Sequence, residues 1–573
     1  MIRILSVFII WAIVPIFAYS QPVWSNNKYP LVDFRQPLDI KPPALSGSFG
    51  ELRSNHFHSG LDFRTNQREG YPVFAVADGF VSRLRVQNGG FGLALYVNHP
   101  NGFTSVYAHL QRFGPEIADQ VKRIQYHKKS FEVDELVDSS LLPVRKGQVI
   151  AYSGNTGGSA GPHLHFEIRD SKTEATINPQ LFGIEIPDNV PPVIHSLYVY
   201  RLNHKVFNEL TPKQYFRLIG SAGNYRIHHV TTLRLGGEVG FGIVTNDRHT
   251  GASGLNGVYA IQLELDGTVI YSSSMERFEF VNSRAINAHI DYPHYLKTKI
   301  SIQKSFVDPG NPLKIYSNVL NYGRVTFNDG KLHRMKYTVI DGRGNKSTLT
   351  FNVQSDNQAV IKTPEVKADT IFKFTDRNEY IEDDVRVILT KGTLYNDVYF
   401  SAKKLPRQSY NVYSSSYQIH NNKVPLHTGF ELWIKADSTL IPYQEKAVIL
   451  NASGISQGGS FEDGYVKATP RTFGNYYISV DTIAPTITPL NISEGKRMGN
   501  VSKVTFKIRD DLSGLKSFNG YIDDKWVLME FDAKTATLWH TFDDLTLSGK
   551  HTFKLVVTDM KNNAKTYNVT FYK

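Results

Sequence analysis

Three short stretches carry residues able to do metal chemistry: His58-Ser-Gly-Leu-Asp62, Tyr107-Ala-His109-Leu110 and Gly161-Pro-His163-Leu-His165-Phe-Glu167. The chain has no cysteine, so thiolate-bound metals, thiol nucleophiles, disulfides and lipid attachment through an N-terminal cysteine are all excluded. Any metal site must use His, Asp or Glu. Singly the stretches say little. The chain has 19 His in 573 residues, and a second His-x-His pair, His56-Phe-His58, is present; about 0.6 such pairs arise from composition alone.

Together the stretches say more. Alternate residues of a strand share a face, so His163 and His165 project side by side, one able to bind metal while its neighbour meets a substrate. His58 and Asp62 have the spacing of a helix face, but Gly60 and the flanking aromatics argue for a turn leading into a strand. A catalytic zinc needs about three protein ligands and one open position. Two His and one Asp satisfy that, offset part of the metal's charge, and leave two further His for proton transfer.

The surrounding residues strengthen the pattern. They include Phe57-His58-Ser-Gly-Leu-Asp62-Phe, Pro72-Val-Phe-Ala-Val-Ala-Asp78-Gly79-Phe-Val, Gly90-Phe-Gly-Leu-Ala-Leu, Tyr107-Ala-His-Leu, Lys146-Gly-Gln-Val-Ile-Ala and Gly154-Asn-Thr-Gly157 running into His163-Leu-His165-Phe-Glu167. In this order, over about 48–185, the chain resembles the lysostaphin/LytM family of zinc metallopeptidases. The resemblance implies that His58, Asp62 and His165 hold zinc and that His109 and His163 are the two catalytic histidines beside it. All five positions are filled, whereas some family members lack ligands and act only as activators of other hydrolases. Family members cleave peptide stems or cross-bridges of peptidoglycan. The implied activity is therefore that of a secreted zinc endopeptidase on peptidoglycan cross-links; the alternative is a non-catalytic envelope regulator. The departure from the family pattern is an insertion after His109, over about 111–144, which leaves substrate access open.

Residues around these positions have less defined roles. Tyr107 either faces substrate or packs as a strand aromatic. Glu167 reads as an exposed strand carboxylate, with orientation of a ligand histidine as the alternative. Thr156, Gly157 and Ser159 are expected to shape a loop above the site, where glycine permits close backbone approach to a peptide.

The elements that must position these residues are strands. Aromatic usage is high, with 31 Tyr and 34 Phe, and aromatic and β-branched residues favour pleated, half-buried surfaces. The stretch 47–187 alternates short apolar runs with Gly-rich turns, as expected for an all-β unit. Glu116 to Ile124 breaks the pattern and reads as one amphipathic helix. Downstream, a weak repeat appears. Val190-Pro-Pro-Val-Ile matches Ile483-Ala-Pro-Thr-Ile; Ser253-Gly254-Leu255 after Asp247 matches Ser513-Gly514-Leu515 after Asp510 and Asp511; and Asp341 to Asn345 matches Asp559 to Asn563. These copies resemble bacterial immunoglobulin-like sandwiches. The expected class is mainly β: a LytM-type peptidase unit over 21–187, a sandwich over 188–356 that holds an insertion, a β-rich unit over 357–480, and a sandwich over 481–573. Asp510, Asp511, Asp523 and Asp524 read as exposed turn carboxylates rather than calcium ligands.

Residues 1–20 read as an export signal: Arg3, an apolar run from Ile4 to Phe17, then Ala18-Tyr19-Ser20 before a cut at Gln21. The apolar run is short for a membrane span and holds Pro15, so no stable membrane insertion is expected after cleavage. The net charge of +11 suits an anionic wall polymer. No long Lys/Arg run points to nucleic acid.

Overall fold

The computed structural model describes residues 28–251, 254–382, 384–407, 412–543 and 546–573. The stretch expected to act as an export signal, residues 1–20, lies outside the described residues. No helix among them is long and apolar enough to cross a membrane. The chain is mostly β, and its buried apolar residues separate into four main cores.

The first core belongs to the region that carries the three motifs. Its strands are β1 (Leu45–Gly47), β2 (Leu52–Arg53), β3 (His56–Phe57), β4 (Leu61–Arg64), β5 (Pro72–Phe74), β6 (Gly79–Val86), β7 (Leu93–Asn98), β8 (Phe103–Ala108), β9 (Leu110–Phe113), β10 (Val133–Leu136), β11 (Pro143–Val144), β12 (Val149–Ser153) and β13 (His163–Asp170). The main sheet runs β1-β4-β13-β8-β7-β6-β10, and β5-β12-β9 form a smaller sheet. Every pairing in these two sheets is antiparallel. Strand β13 is central, and each of its neighbours presents a motif: His165 pairs with Asp62 on β4 and with Ala108 on β8.

The expected helix forms as α1 (Pro115–Lys128), with Pro115 in its first turn and Lys129 closing it in the left-handed conformation. Its Ile117 and Val121 enter the core. The remainder of the stretch read as an insertion is not a separate appendage. β9 joins the smaller sheet, while β10 and β11 both pair with β6. Short strands interleaved with turns carry too little periodicity to be seen as sheet members from sequence.

Residues 193–355 build a 12-stranded sheet system around their own core. Between strands Thr268–Ser274 and Leu332–Ile340 this region carries an inserted segment with helices Ile286–His289 and Tyr292–Thr298. That segment turns back on the first region. Met275, Phe278, Ile286 and Leu313 belong to the first core, and Arg277–Phe278 pairs with Thr176–Ile177, which itself pairs with β13. Residues 370–480 form three sheets around a third core. Residues 486–572 form a four-stranded and a five-stranded sheet around a fourth.

The last region also reaches the first. Tyr126 of α1 donates to Asp543 at 2.7 Å and packs edge-on against Trp526. Lys534 donates to the carbonyls of Asn155 and Ser159, the latter at 3.3 Å.

Candidate metal centre

The turn between β3 and β4 is bent so that His58 and Asp62 face one another. Phe57 is fully buried and anchors the start of this turn. Its backbone N–H donates to Ser283 Oγ at 2.8 Å, and its ring packs against Phe278 and His289 of the inserted segment. Gly60 sits where an added Cβ would lie 2.3 Å from the Phe166 carbonyl oxygen, so only glycine lets the turn press onto β13.

His58, Asp62 and His165 converge and are all buried, with one ligand atom from each lying within 4.8 Å of the others. His58 Nε2 is 2.9 Å from Asp62 Oδ1 and 3.0 Å from His165 Nδ1, which is in turn 2.8 Å from Asp62 Oδ1. The outer nitrogens have their own partners. His58 Nδ1 donates to the Ser48 carbonyl at 2.8 Å, and His165 Nε2 donates to Glu167 Oε1 at 2.9 Å. With their protons committed outward, two lone pairs and a carboxylate oxygen face one another. Two imidazole nitrogens and a carboxylate oxygen this close need positive charge between them, either a proton on His165 or a divalent metal. The donor set therefore fits a borderline divalent metal such as zinc.

The electrostatics agree. Burial pulls His58 down. Burial also disfavours charge on His165, but its hydrogen bonds to Asp62 and Glu167 outweigh that and hold it up at about 9. Burial raises Asp62, yet the surrounding His58, His163 and His165 keep it well below the usual carboxylate range. Arg53 from β2 is 2.5 Å from Asp62 Oδ2 and is also bound to Glu51. The carboxylates of Asp62 and Glu167 thus favour positive charge on His165.

His163 and His109 flank the trio, their rings 4.8 Å apart. His163 Nε2 lies 3.4 Å from Asp62 Oδ1, while its Nδ1 donates to the Gly161 carbonyl at 2.8 Å. His109 Nδ1 donates to the Thr156 carbonyl at 2.9 Å. Burial, followed by the charges of His165 and His163, pushes His109 down to about 3. His109 is itself a backbone device, with φ +58° between β8 and β9. A non-glycine residue in that region costs on the order of 1 kcal/mol or more, and here the cost buys a kink that turns its ring out of the sheet. His109, His163 and Asp62 line a cleft of about 780 Å³, together with Glu51, Arg53 and Arg64.

One open choice is decided and two expectations need correction. Tyr107 does not face substrate: it is fully buried, and its hydroxyl accepts from the Val76 N–H at 3.0 Å and from Ser105 at 3.1 Å. Glu167 is not exposed. It is fully buried between His165, Ser59 and Arg169, and although burial raises it, Arg169 and His165 bring it down to about 2. Gly157, at φ +69°, makes its close approach to another loop, where an added Cβ would lie 2.3 Å from Gly92 N and 2.6 Å from Gly90 O. That contact seats Phe91, which stacks on His165 with ring centroids 5.2 Å apart. Thr156 carries the His109 contact, and Ser159 Oγ lies 3.2 Å from His163 Nδ1.

Glu51, Arg53 and Phe91 escaped the sequence reading. A polar face was available as a signal for Glu167, because His163, His165, Glu167 and Arg169 alternate on one side of β13. Nothing local marks Arg53, which reaches Asp62 only through the β2–β3 hairpin.

The fold and this donor set suit a peptidase-type metal centre. Residues 56–126 and 133–179 match Peptidase family M23, and this part of the chain is an M23, LytM-type domain. Residues 369–481 match a Zu5-like domain. Among curated proteins, the DD-carboxypeptidase/endopeptidase Mpg of Neisseria meningitidis is 31% identical over 137 residues, 24% of this chain and 25% of that protein. An uncharacterized metalloprotease of Haemophilus influenzae is 38% identical over 110 residues, 19% of this chain and 18% of its own. The peptidoglycan DD-endopeptidase ShyC of Vibrio cholerae is 28% identical over 142 residues, 23% of this chain and 26% of its own. The matched part thus spans about a quarter or less of each relative's length.

Proposed function

We propose that this chain is an exported zinc endopeptidase that hydrolyses peptide cross-links in bacterial peptidoglycan. The observation that carries this reading is the convergence of two inward-facing imidazole nitrogens and one carboxylate oxygen beside a cleft, with two further histidines at its mouth. His58, Asp62 and His165 hold the metal, with Ser48, Glu167 and Arg53 orienting them. When bound, zinc supplies Lewis-acid polarisation of the scissile carbonyl and of the attacking water at neutral pH.

The remaining steps belong to the chain's own residues. His109 and His163 each have Nδ1 committed to a backbone carbonyl, which leaves Nε2 to face substrate. Held close together, they share proton transfer and the stabilisation of charge growing on the carbonyl oxygen. Burial holds His109 down, so it stands neutral beside the cleft. Arg53 and Arg64 line the cleft and offer charge to a carboxylate of a stem peptide. Peptidoglycan as substrate rests on the relatives named for cell-wall cleavage, on the export signal and on the basic net charge.

The test is digestion of purified peptidoglycan by the mature chain, with and without a zinc chelator, with products read by mass. Chelator-sensitive release of stem peptides is expected. No release from a zinc-loaded chain overturns the substrate; no release and no bound zinc favours the envelope regulator.

A further inference from the structure

A second cluster of metal-ligating side chains, sharing no residue with the M23 centre, lies in the 188–249 stretch. Asp188, Asp247 and His249 offer one ligand atom each within 4.8 Å of one another. Acidic clusters are common without metals, so the decisive matter is how these oxygens are satisfied. Asp247 is 1% exposed, yet its Oδ1 has no hydrogen-bond partner among the described residues. Its other oxygen, Oδ2, is 4.0 Å from His249 Nε2. Asp188 Oδ1 accepts from Val190 N and Thr250 N, but its buried Oδ2 also lacks a donor. Two amide oxygens are in the same condition: Asn246 Oδ1, next to Asp247 in the chain, and Asn256 Oδ1, on the residue bridged to Asp247. A buried, unpartnered carboxylate oxygen costs several kcal/mol in principle, and a third carboxylate, the fully buried Asp341, adds like charge. Burial, then the charges of Asp341 and Asp188, push Asp247 up to about 8.

The internal repeat supplies a control. Asp188, Asp247 and Asp341 correspond to Asp481, Asp510 and Asp559, and the asparagine four residues after the third aspartate donates to it in both copies, at 2.8 Å and 2.7 Å. In the later copy the carboxylates are satisfied from within the protein. Asp481 accepts from Ile483 N and Ser513 N, and Asp510 accepts from Leu512 N and Gly514 N. In the earlier copy the residues that match Leu512 and Ser513 lie outside the described ones, and among the described residues its acceptor oxygens stand open beside an imidazole.

We infer that Asp188, Asp247 and His249 form a structural divalent-cation site at the entry to the 193–355 region, with the Asn256 amide, 3.2 Å from His249 Nδ1, beside it. Two carboxylates suit a hard cation such as calcium or manganese, and the imidazole extends the range to zinc. The site stiffens the passage from the M23 region into the next, because Asp188 sits on the connecting segment and Asp247 on the sheet.

The experiment is metal analysis of the full chain after equilibrium dialysis against calcium, manganese or zinc in turn, comparing wild type with Asp247→Asn, Asp188→Asn and Asp510→Asn. Wild type and D510N should bind one equivalent of at least one of these metals that D247N and D188N lack, and that metal should raise the melting temperature of wild type and D510N by several degrees while leaving the other two unchanged. The half-exposed Asp188 keeps the test valid should D247N fail to fold. Equal stoichiometry in wild type and D188N for all three metals overturns the site. So does a metal-independent rise in stability of D247N over wild type, which would mark Asp247 as a buried protonated acid.

Discussion

The clusters at Asp62 and at Asp247 use the same side-chain types and differ in what surrounds them. Asp62 is met by Arg53, His58, His163 and His165, and it is held strongly acidic despite its burial. Asp247 is equally buried, meets like charges from Asp341 and Asp188, and is pushed up. One cluster has a ring of oriented partners and one face on a cleft; the other is enclosed and under-satisfied. Catalytic metal sites keep an open position and a supporting shell, whereas structural sites are closed. On the two proposals above, surroundings, more than ligand identity, separate the two uses.

The largest effect is expected where the comparison is broken outright. His165→Ala removes a proposed metal ligand, the partner of Glu167 and the ring under Phe91 at once. Zinc content and peptidoglycan release should fall together to the detection limit. Retained zinc with retained release would remove this trio from the site. His109→Ala is the complementary case, because it leaves the trio intact. Zinc should stay stoichiometric while kcat drops by about 10²–10⁴-fold, the usual worth of a positioned proton-transfer group.

Histidines sharpen the same contrast. His165 is buried among carboxylates and is held at about 9; His289 is buried beside Tyr316 and Gln303 and is pushed down to about 4, by burial first. A base whose folded pKa lies below its unfolded value of about 6.5 favours the folded state when neutral. Its contribution is complete above about pH 6.5 and is lost as pH falls towards 4, about 3 kcal/mol over that window. His289 packs on Phe57, which precedes His58, so the loss is felt at the ligand turn. The gap in urea midpoint between wild type and His289→Gln should narrow between pH 7 and pH 4; a pH-independent gap would remove His289 as its source. Next in size, Glu167→Gln keeps the shape of the pair with His165 and removes its charge. A loss of about 10–100-fold in zinc affinity or activity is expected, as for other partners that orient ligand histidines. An unchanged zinc affinity and rate would make Glu167 a packing residue.

Much of the first site was legible because it lies in short motifs on neighbouring strands. His163 and His165 are two apart on β13, and strand alternation alone places them on one face. The same alternation continues through Glu167 and Arg169, yet burial is a tertiary property and the charge of Glu167 argued for solvent. Arg53 was invisible because a two-residue hairpin strand has no periodicity to read. The β class followed from aromatic and β-branched usage, but the packing of residues 275–316 onto the M23 core did not, since apolar helical residues announce burial without naming the partner. The repeated aspartates were seen as sequence echoes; Asp510 was grouped with Asp523, whereas the fold joins it to Asp481 and Asp559 and turns Asp523 to His551.

The smallest expected effect tests that last pairing. Asp510 Oδ2 accepts from two backbone N–H groups, at 3.2 Å from Leu512 and 2.7 Å from Gly514. An asparagine side-chain oxygen can accept both, so Asp510→Asn loses only the charge on those bonds, about 1 kcal/mol or less. Its melting temperature should barely move and should show the same response to metal as wild type. If D510N instead lost a metal equivalent, the later copy would be the occupied one, and the open oxygens around Asp247 would need another explanation. A large drop in stability without any change in metal would mean that the satisfied copy depends on the full charge of its carboxylates, and that the two copies differ in degree rather than in kind.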